Sequence, residues 1–440
     1  MQTNTQNDLF YNKIIQGIGE GILTLGLDGR IGMLNPAGEA ILGVSKEQIS
    51  GQKFSAVFFQ YPENDLFNQM ILDAVYDSSS KHEKLVPYFD GEKAKHLHVM
   101  TSFLHEDKEK IGIIAVIRDV SEIVEMEQRH YREINTLIES IVKTLSVAID
   151  ERSHYTAKHT KNMVSMGEAF LDWLKETNNP WQFDEDKRRE LLMSIWLHDI
   201  GKIAIPLEIM DKATRLGPRL ELIEARFSRI ALIERIALLE GQITQAEYSK
   251  RADERAAVFA FIKQLNNKGF VSDEDLIKVQ ELCTLRYFEE DGREVPLFTS
   301  DEIEDLSIRK GTLTSGERQI MQSHAALTRR ILEQVSFPPV YSDIPLWASS
   351  HHELRNGKGY PDKKSGDEIP KEVRLITILD IFEALTAKDR PYKPPIPLEK
   401  AWDILDNMVK DGSISAELLK LFRESGAWQA LFPAAEEKDC

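Results

Sequence analysis

At 440 residues, 42% hydrophobic and 29% charged, the chain has an ordinary globular composition and the length for two or three domains. A formal net charge of −17 sets it against long polyanions and excludes a nucleic-acid polymer as the expected partner. Cys283 and Cys440 lie far apart, no apolar run approaches the roughly 18 residues of a membrane span, and Met1-Gln2-Thr3-Asn4 opens no signal peptide, so a cytoplasmic protein without disulfides or membrane contact is expected.

The first elements follow strand grammar. Gly21–Leu25 and Arg30–Leu34 flank Asp28-Gly29, where glycine accepts a positive φ, and predict a hairpin. Asn35-Pro36-Ala37-Gly38-Glu39-Ala40-Ile41-Leu42-Gly43 begins a short helical segment after a turn, and strands return at His96–Phe103 and Ile111–Ile117. This is the pattern of a small α+β sensor over residues 10–120. That span, with Asn35-Pro36-Ala37 at its turn and Arg118-Asp119-Val120 at its exit, resembles a PAS domain. His82, His96, His98 and His105 invite a haem reading, but their placement on predicted strands and turns favours solvated surface, and no cysteine is present there for a flavin adduct. The ligand of this domain is unknown from sequence.

Residues 121–148 predict a linker helix. Val124, Tyr131, Ile134, Ile138, Ile141 or Val142, Leu145 and Ala148 recur at heptad spacing, interrupted by Glu127. One apolar stripe of this kind suits a parallel two-stranded coiled coil, so a homodimer through the linker is expected; the alternative is a helix packed on its own domain.

Residues 149–430 carry the chemistry. His159 comes first, and Leu197-His198-Asp199-Ile200-Gly201-Lys202 then sets imidazole and carboxylate side by side. In the stretch 213–311, Leu220, Ile223, Phe227, Ile230 and Ala237 recur at helical spacing with Arg and Glu between them, which predicts a helical hairpin. Thr314-Ser315-Gly316-Glu317 reads as a capping box that starts the helix of His324. His351-His352-Glu353 offers a second adjacent pair, and Asp380 a second hard oxygen donor. Any one of these histidines alone is more simply a satisfied core residue. Seven together, His159, His198, Asp199, His324, His351, His352 and Asp380, form a nitrogen and oxygen set without thiolate, which suits iron, manganese, zinc or another divalent first-row ion. Two such ions about 3.5–4 Å apart activate water and clamp a phosphodiester, so phosphodiester hydrolysis is the expected reaction.

Gly357-Lys358-Gly359-Tyr360-Pro361 is either a plain turn or a loop whose amides approach a phosphate while Tyr360 stacks on a base. Arg390 and Lys393 are either solvated charges or holders of phosphates and guanine edges. In so acidic a chain, an anionic substrate needs local cations such as Lys202, Lys358, Arg390 and Lys393.

His198-Asp199-Ile200-Gly201-Lys202-Ile203-Ala204-Ile205-Pro206, then His351-His352-Glu353 through Gly359-Tyr360-Pro361, Asp380 and Asp389-Arg390-Pro391-Tyr392-Lys393, resemble the HD-GYP branch of the HD superfamily in order and approximate spacing. The resemblance covers roughly 145–215 and 311–430. It implies an all-helical domain that cleaves cyclic dinucleotides, chiefly cyclic di-GMP to pGpG or GMP, with a two- or three-metal centre commonly of iron or manganese. By position it implies the seven metal ligands above, with Asp199 bridging the ions and Asp199 and Lys202 acting in catalysis. Lys202, Lys358, Gly359, Tyr360, Pro361, Arg390 and Lys393 would contact the substrate.

Three departures qualify the likeness. Tyr155 stands where three-metal members carry Glu, so two metals are expected; Asn356 and Glu383 replace frequent aspartates and bear on substrate preference. The insertion, with Met210–Leu216 and Arg226-Phe227, resembles a subgroup whose insertion implies no chemistry; a dimer contact and a lid are equal readings. The expected whole is multidomain: an α+β PAS sensor, a coiled-coil-like linker, and an all-α HD-GYP domain with a helical insertion. Its expected work is PAS-regulated hydrolysis of cyclic di-GMP, with a diguanylate cyclase in the same pathway. The alternatives are cyclic GMP-AMP or another nucleotide phosphate as substrate, or a receptor that binds without cleaving.

Overall fold

The computed structural model describes residues 2–76, 82–106, 109–152, 158–289, 291–387 and 396–432. It divides into two compact units, Met1–Leu137 and Ile138–Cys440. Arg390 and Lys393, and Tyr155, lie outside the described residues.

The first unit begins with helix α1 (Gln2–Gly17) and strands β1 (Gly21–Gly26) and β2 (Ile31–Leu34). Helices α2 (Pro36–Leu42) and α3 (Asp65–Tyr76) follow, then β3 (Glu83–Phe89), β4 (Ala94–Glu106) and β5 (Glu109–Asp119). The five strands pair antiparallel in the order β2-β1-β5-β4-β3. Gly29, at φ 75°, makes the β1–β2 turn that Asp28-Gly29 predicted. Asn35 explains the next turn: its Oδ1 accepts from the Gly38 (2.9 Å) and Ile22 (2.8 Å) amides, and its Nδ2 donates to the Glu20 carbonyl at 2.9 Å. It thus caps α2 and ties it to β1. Strand β3 had no expectation from sequence. Leu23, Leu25, Ile113, Ala115 and Ile117 alternate onto the face that packs on Leu42, Phe54, Phe67 and Ile71, all buried. Among the described residues, no group of metal-capable side chains includes His82, His96, His98 or His105; His98 instead lies 2.9 Å from Glu83.

Helix α4 (Ser121–Asp150) runs through the predicted linker. Its apolar stripe is split. Tyr131, Ile134, Leu137, Ile141 and Leu145 are 45–60% exposed, whereas Val142 and Ile149 are buried against Met193, Leu197, Leu332 and Ile344, with Ile138 packed on the same cluster. Val142 and Ile138 therefore belong to their own domain's core, a correction to the single stripe read from spacing.

In the second unit, α5 (His159–Glu176) and α6 (Glu185–Leu197) lead to a tight helical turn, Ile200–Ala204. After the insertion come α11 (Ser315–Leu332), α12 (Ile344–Ser349), α13 (Lys371–Thr386), α14 (Leu398–Lys410) and α15 (Ala416–Ser425). Phe170, Leu174, Ile195, Ile376, Leu379, Phe382, Leu418 and Phe422 share one core that fixes α5, α6, α13 and α15 together. Thr314 and Glu317 form the expected reciprocal cap at the head of α11. No helix of the described residues is long and apolar enough to cross a membrane.

The insertion is more than a helical hairpin. Helices α7 (Arg219–Leu239) and α8 (Gln245–Asn266) form the hairpin, but α9 (Asp273–Leu282), a two-stranded sheet of β6 (Arg286–Phe288) and β7 (Glu294–Pro296), and α10 (Ser300–Leu306) follow. Ile223, Phe227, Ile262, Leu265, Val279, Leu297 and Leu306 give it a hydrophobic core of its own. The helical period of its first part was legible; three-residue strands are too short to leave a period.

Candidate metal centre

Five segments deliver the seven candidate ligands. His159 is the first residue of α5; His198 and Asp199 follow the last turn of α6; His324 sits inside α11; His351 and His352 follow α12; Asp380 lies in α13. Three overlapping groups bring donor atoms within 4.8 Å of one another: His159 with His198 and Asp380, His198 with Asp199 and His351, and His324 with His351 and His352.

The imidazoles are oriented from behind. His198, His324 and His351 each donate Nδ1–H to a carbonyl at 2.7 Å, those of Ile195, Met321 and Ala348. A carbonyl only accepts, so in the neutral rings Nε2 carries a lone pair, and these lone pairs point into the cluster. His159 Nε2 and His198 Nε2 stand 3.2 Å apart, and His324 Nε2 and His351 Nε2 3.4 Å apart. Lone pairs facing each other at that distance repel unless a cation or proton lies between them.

Each carboxylate faces both sides. Asp199 Oδ2 is 3.1 Å from His198, whereas its Oδ1 is 3.3 Å from His324 and 3.9 Å from His351. Asp380 Oδ1 is 3.3 Å from His159 and its Oδ2 3.7 Å from His352. Asp199 Oδ1 is buried with no hydrogen-bond partner, an uncommon state for a carboxylate oxygen and the one expected of an atom kept for a metal. The residues present fit divalent ions of the first row.

Electrostatics agree. Burial pushes His352 down to about 4, pushes His351 well below the ordinary imidazole range with a smaller contribution from the adjacent His352 ring, and lowers His324. These three candidate ligands are neutral at neutral pH. Burial would raise Asp199 and Asp380, yet their neighbours hold both carboxyls below their usual range: the His198 ring and the Lys202 ammonium for Asp199, the His159 hydrogen bond and the His352 ring for Asp380. Burial opposes the charged form of His159, but hydrogen bonds to Asp380 and Glu383 prevail and push it up to about 10. A proton there occupies a place that a metal cation would take, so metal binding would release it.

Several positioning groups escaped the sequence reading. Glu383 is buried and accepts from His159 Nδ1 at 2.6 Å and from Asn162 Nδ2 at 2.9 Å, the carboxylate–histidine arrangement that orients metal ligands. Its spacing from Asp380, one helical turn along α13, was the available signal. Thr328 Oγ1 donates to the His198 carbonyl and accepts from the Gly201 amide, both at 3.0 Å. Arg152 donates to the carbonyls of Lys202 (3.0 Å), Ile203 and Ile205 (3.1 Å), clasping the turn after Asp199. Glu383→Ala is expected to weaken Mn²⁺ binding by about 10–100-fold, measured by titration calorimetry.

Lys202 Nζ lies 2.6 Å from Asp199 Oδ2, at the cluster. Tyr360 stacks beside His352, ring centroids 4.6 Å apart, with Pro361 next to it. Gly359 is packed so closely that an added Cβ would lie 2.3 Å from the Leu354 amide nitrogen. The side chain of Lys358 is exposed, and its charge adds to the Ser413 hydrogen bonds that lower the Asp411 carboxyl. Asn356 Nδ2 donates to Ser413 Oγ at 2.8 Å and Asn356 Oδ1 accepts from the Lys358 amide, so it braces the loop. Glu353 braces it too, accepting from the Asp362 (2.6 Å) and Lys364 (3.0 Å) amides.

Comparison with known proteins adds two domains and a set of relatives. Residues 297–418 match the HD domain family and residues 9–120 the PAS fold. The HD match begins within the insertion, between β7 and α10, and so leaves out His198-Asp199. Over 178 residues the chain is 33% identical to 3'3'-cGAMP-specific phosphodiesterase 3 of Vibrio cholerae serotype O1, covering 40% of this chain and 35% of that protein. It is 34% identical to a cyclic di-GMP phosphodiesterase of Thermotoga maritima, covering 23% of this chain and 27% of that protein. It is also 34% identical to the cyclic di-GMP phosphodiesterase response regulator RpfG of Xanthomonas campestris, over 22% and 25% of the two chains. The chain thus spans about a third or less of the length of these relatives.

Proposed function

We propose that this chain, in which a PAS fold precedes an HD domain, is a PAS-regulated, metal-dependent phosphodiesterase that opens cyclic di-GMP to linear pGpG and onward to GMP. The observation that carries the reading is the convergence of seven donors from five segments, with the Nε2 lone pairs of His198, His324 and His351 facing inward and Asp199 Oδ1 left without a hydrogen bond. His159, His198, Asp199, His324, His351, His352 and Asp380 would hold two divalent ions, iron or manganese. When bound, such a pair would supply an activated water near neutral pH and stabilise the charge that develops in an in-line displacement.

The chain's own residues supply the rest. Lys202, beside Asp199, is placed to neutralise a phosphate or the departing oxygen. The half-buried Tyr360 ring offers a face on which a base stacks. A second substrate, 3'3'-cGAMP, is favoured by the name of the Vibrio cholerae relative. The protein works in the cytoplasm on substrate made by a diguanylate cyclase.

Purified full chain, handled at low oxygen with iron or manganese and offered cyclic di-GMP and 3'3'-cGAMP separately, is expected to yield linear product from cyclic di-GMP. Tight binding of both without turnover would make it a receptor instead.

A homodimer forms through α4. Tyr131, Ile134, Leu137, Ile141 and Leu145 present an apolar stripe that a second copy covers in a parallel coiled coil. Ile134→Glu combined with Ile141→Glu is expected to shift the protein from dimer to monomer in sedimentation equilibrium; an unchanged mass sinks this interface.

A further inference from the structure

The insertion is fastened at its root by a buried ion cluster that also holds the helix of His324. Lys212 lies just beyond the short helical turn Leu207–Met210 that follows His198-Asp199, and its side chain is 4% exposed. Its Nζ is 2.7 Å from Asp305 Oδ1 and 2.8 Å from each carboxylate oxygen of Glu317. Asp305, fully buried, belongs to α10, the last helix of the insertion, and also accepts from Arg219 at the head of α7 at 2.5 Å. Glu317 is in the first turn of α11, the helix that carries His324. Two cations and two carboxylates therefore join both ends of the insertion to both flanking segments of the metal centre, and none of the four is a candidate ligand.

Such a cluster transmits displacement. Lys212 and Asp305 are buried, so their pairing is little screened by solvent, and loss of Lys212 leaves buried Asp305 with the partly exposed Arg219 alone. Helix α11 has no slack to absorb a shift. A Cβ on Gly201 would lie 2.0 Å from the His324 carbonyl, and Thr328 bonds both Gly201 and His198. Along α11, any movement of Glu317 reaches His324, whose Nε2 sits 3.3 Å from Asp199 and 3.4 Å from His351.

We propose that Lys212 and Asp305 are positioning residues for His324, so that the insertion sets the metal centre through the Lys212 bridge to Glu317. The inference rests on the metal-centre reading above. It gives the insertion a regulatory role: whatever displaces α10 loosens one side of the ligand set.

The test uses the full chain, with Mn²⁺ titration calorimetry and hydrogen exchange without metal along α11, in wild type, Lys212→Met, Lys212→Arg and Asp305→Asn. Lys212→Met and Asp305→Asn are each expected to weaken Mn²⁺ binding about tenfold or more. Each should raise exchange in residues 318–328 while residues 371–386 keep wild-type protection, and Lys212→Arg should restore most of the affinity. Wild-type affinity and protection in Asp305→Asn overturn the proposal even if Lys212→Met fails to fold. A uniform rise in exchange across α5, α11 and α13 also overturns it, because the cluster is then a general staple. If wild type binds no Mn²⁺, the metal-centre reading falls, and the exchange pattern still decides whether the cluster positions α11.

Discussion

Asp199→Ala is expected to lower cyclic di-GMP turnover by roughly a thousandfold or more, the several kcal/mol that a correctly held metal pair contributes to the transition state. Asp199 faces four partners: one oxygen meets His198 and Lys202, the other His324 and His351. Its loss leaves imidazoles with their lone pairs converging and no carboxylate between them. The PAS fold lies in a different compact unit and should keep its own unfolding transition in circular dichroism. Product formation at saturating Mn²⁺ is the measurement. If Asp199→Ala and His198→Ala both retain turnover while still requiring metal, the ligand assignment is refuted.

Gly201→Ala is expected to destabilise the second unit by about 3 kcal/mol, the upper range for forcing atoms into a packed interior. The new Cβ would sit 2.0 Å from the His324 carbonyl oxygen, 2.6 Å from the Thr328 amide nitrogen and 2.8 Å from Thr328 Oγ1. Two of those atoms are backbone and cannot rotate aside, so α11 itself must retreat. Retreat pulls His324 away from Asp199 and breaks the Thr328 bonds to Gly201 and His198, so metal affinity falls together with stability. The urea midpoint, followed by far-ultraviolet dichroism, measures the first effect. Gly316→Ala on the same helix is the control: nothing lies within 4 Å of its added Cβ, and it should be neutral or slightly stabilising. A Gly201→Ala protein as stable as the control would show that α11 and the turn are not in contact.

Much of the centre was legible because its chemistry is local in the chain. Adjacent residues such as His198-Asp199 and His351-His352 advertise themselves, and the capping box at Thr314 fixed where the His324 helix begins. What remained hidden depends on contacts between distant residues. Glu383 reads as a departure from a pattern until its carboxylate is found 2.6 Å from His159, 224 positions earlier. Asn356, expected to bear on substrate, is held by Ser413, a partner no spacing rule supplies. Spacing also drew Val142 and Ile138 into one stripe with their exposed neighbours, because a heptad count does not say which side of a long helix its own domain covers. The short strands within the insertion left no period at all.

The bond between Lys212 and Glu317 has a consequence for how this domain grows. Those residues are 105 positions apart, yet the excursion leaves and returns at one point. In polymer terms its length is nearly free, since each doubling of a closed loop costs only about 0.6 kcal/mol in entropy. A cassette with a core of its own can then be lengthened, shortened or exchanged with little penalty to the host, provided the clasp at its neck is kept.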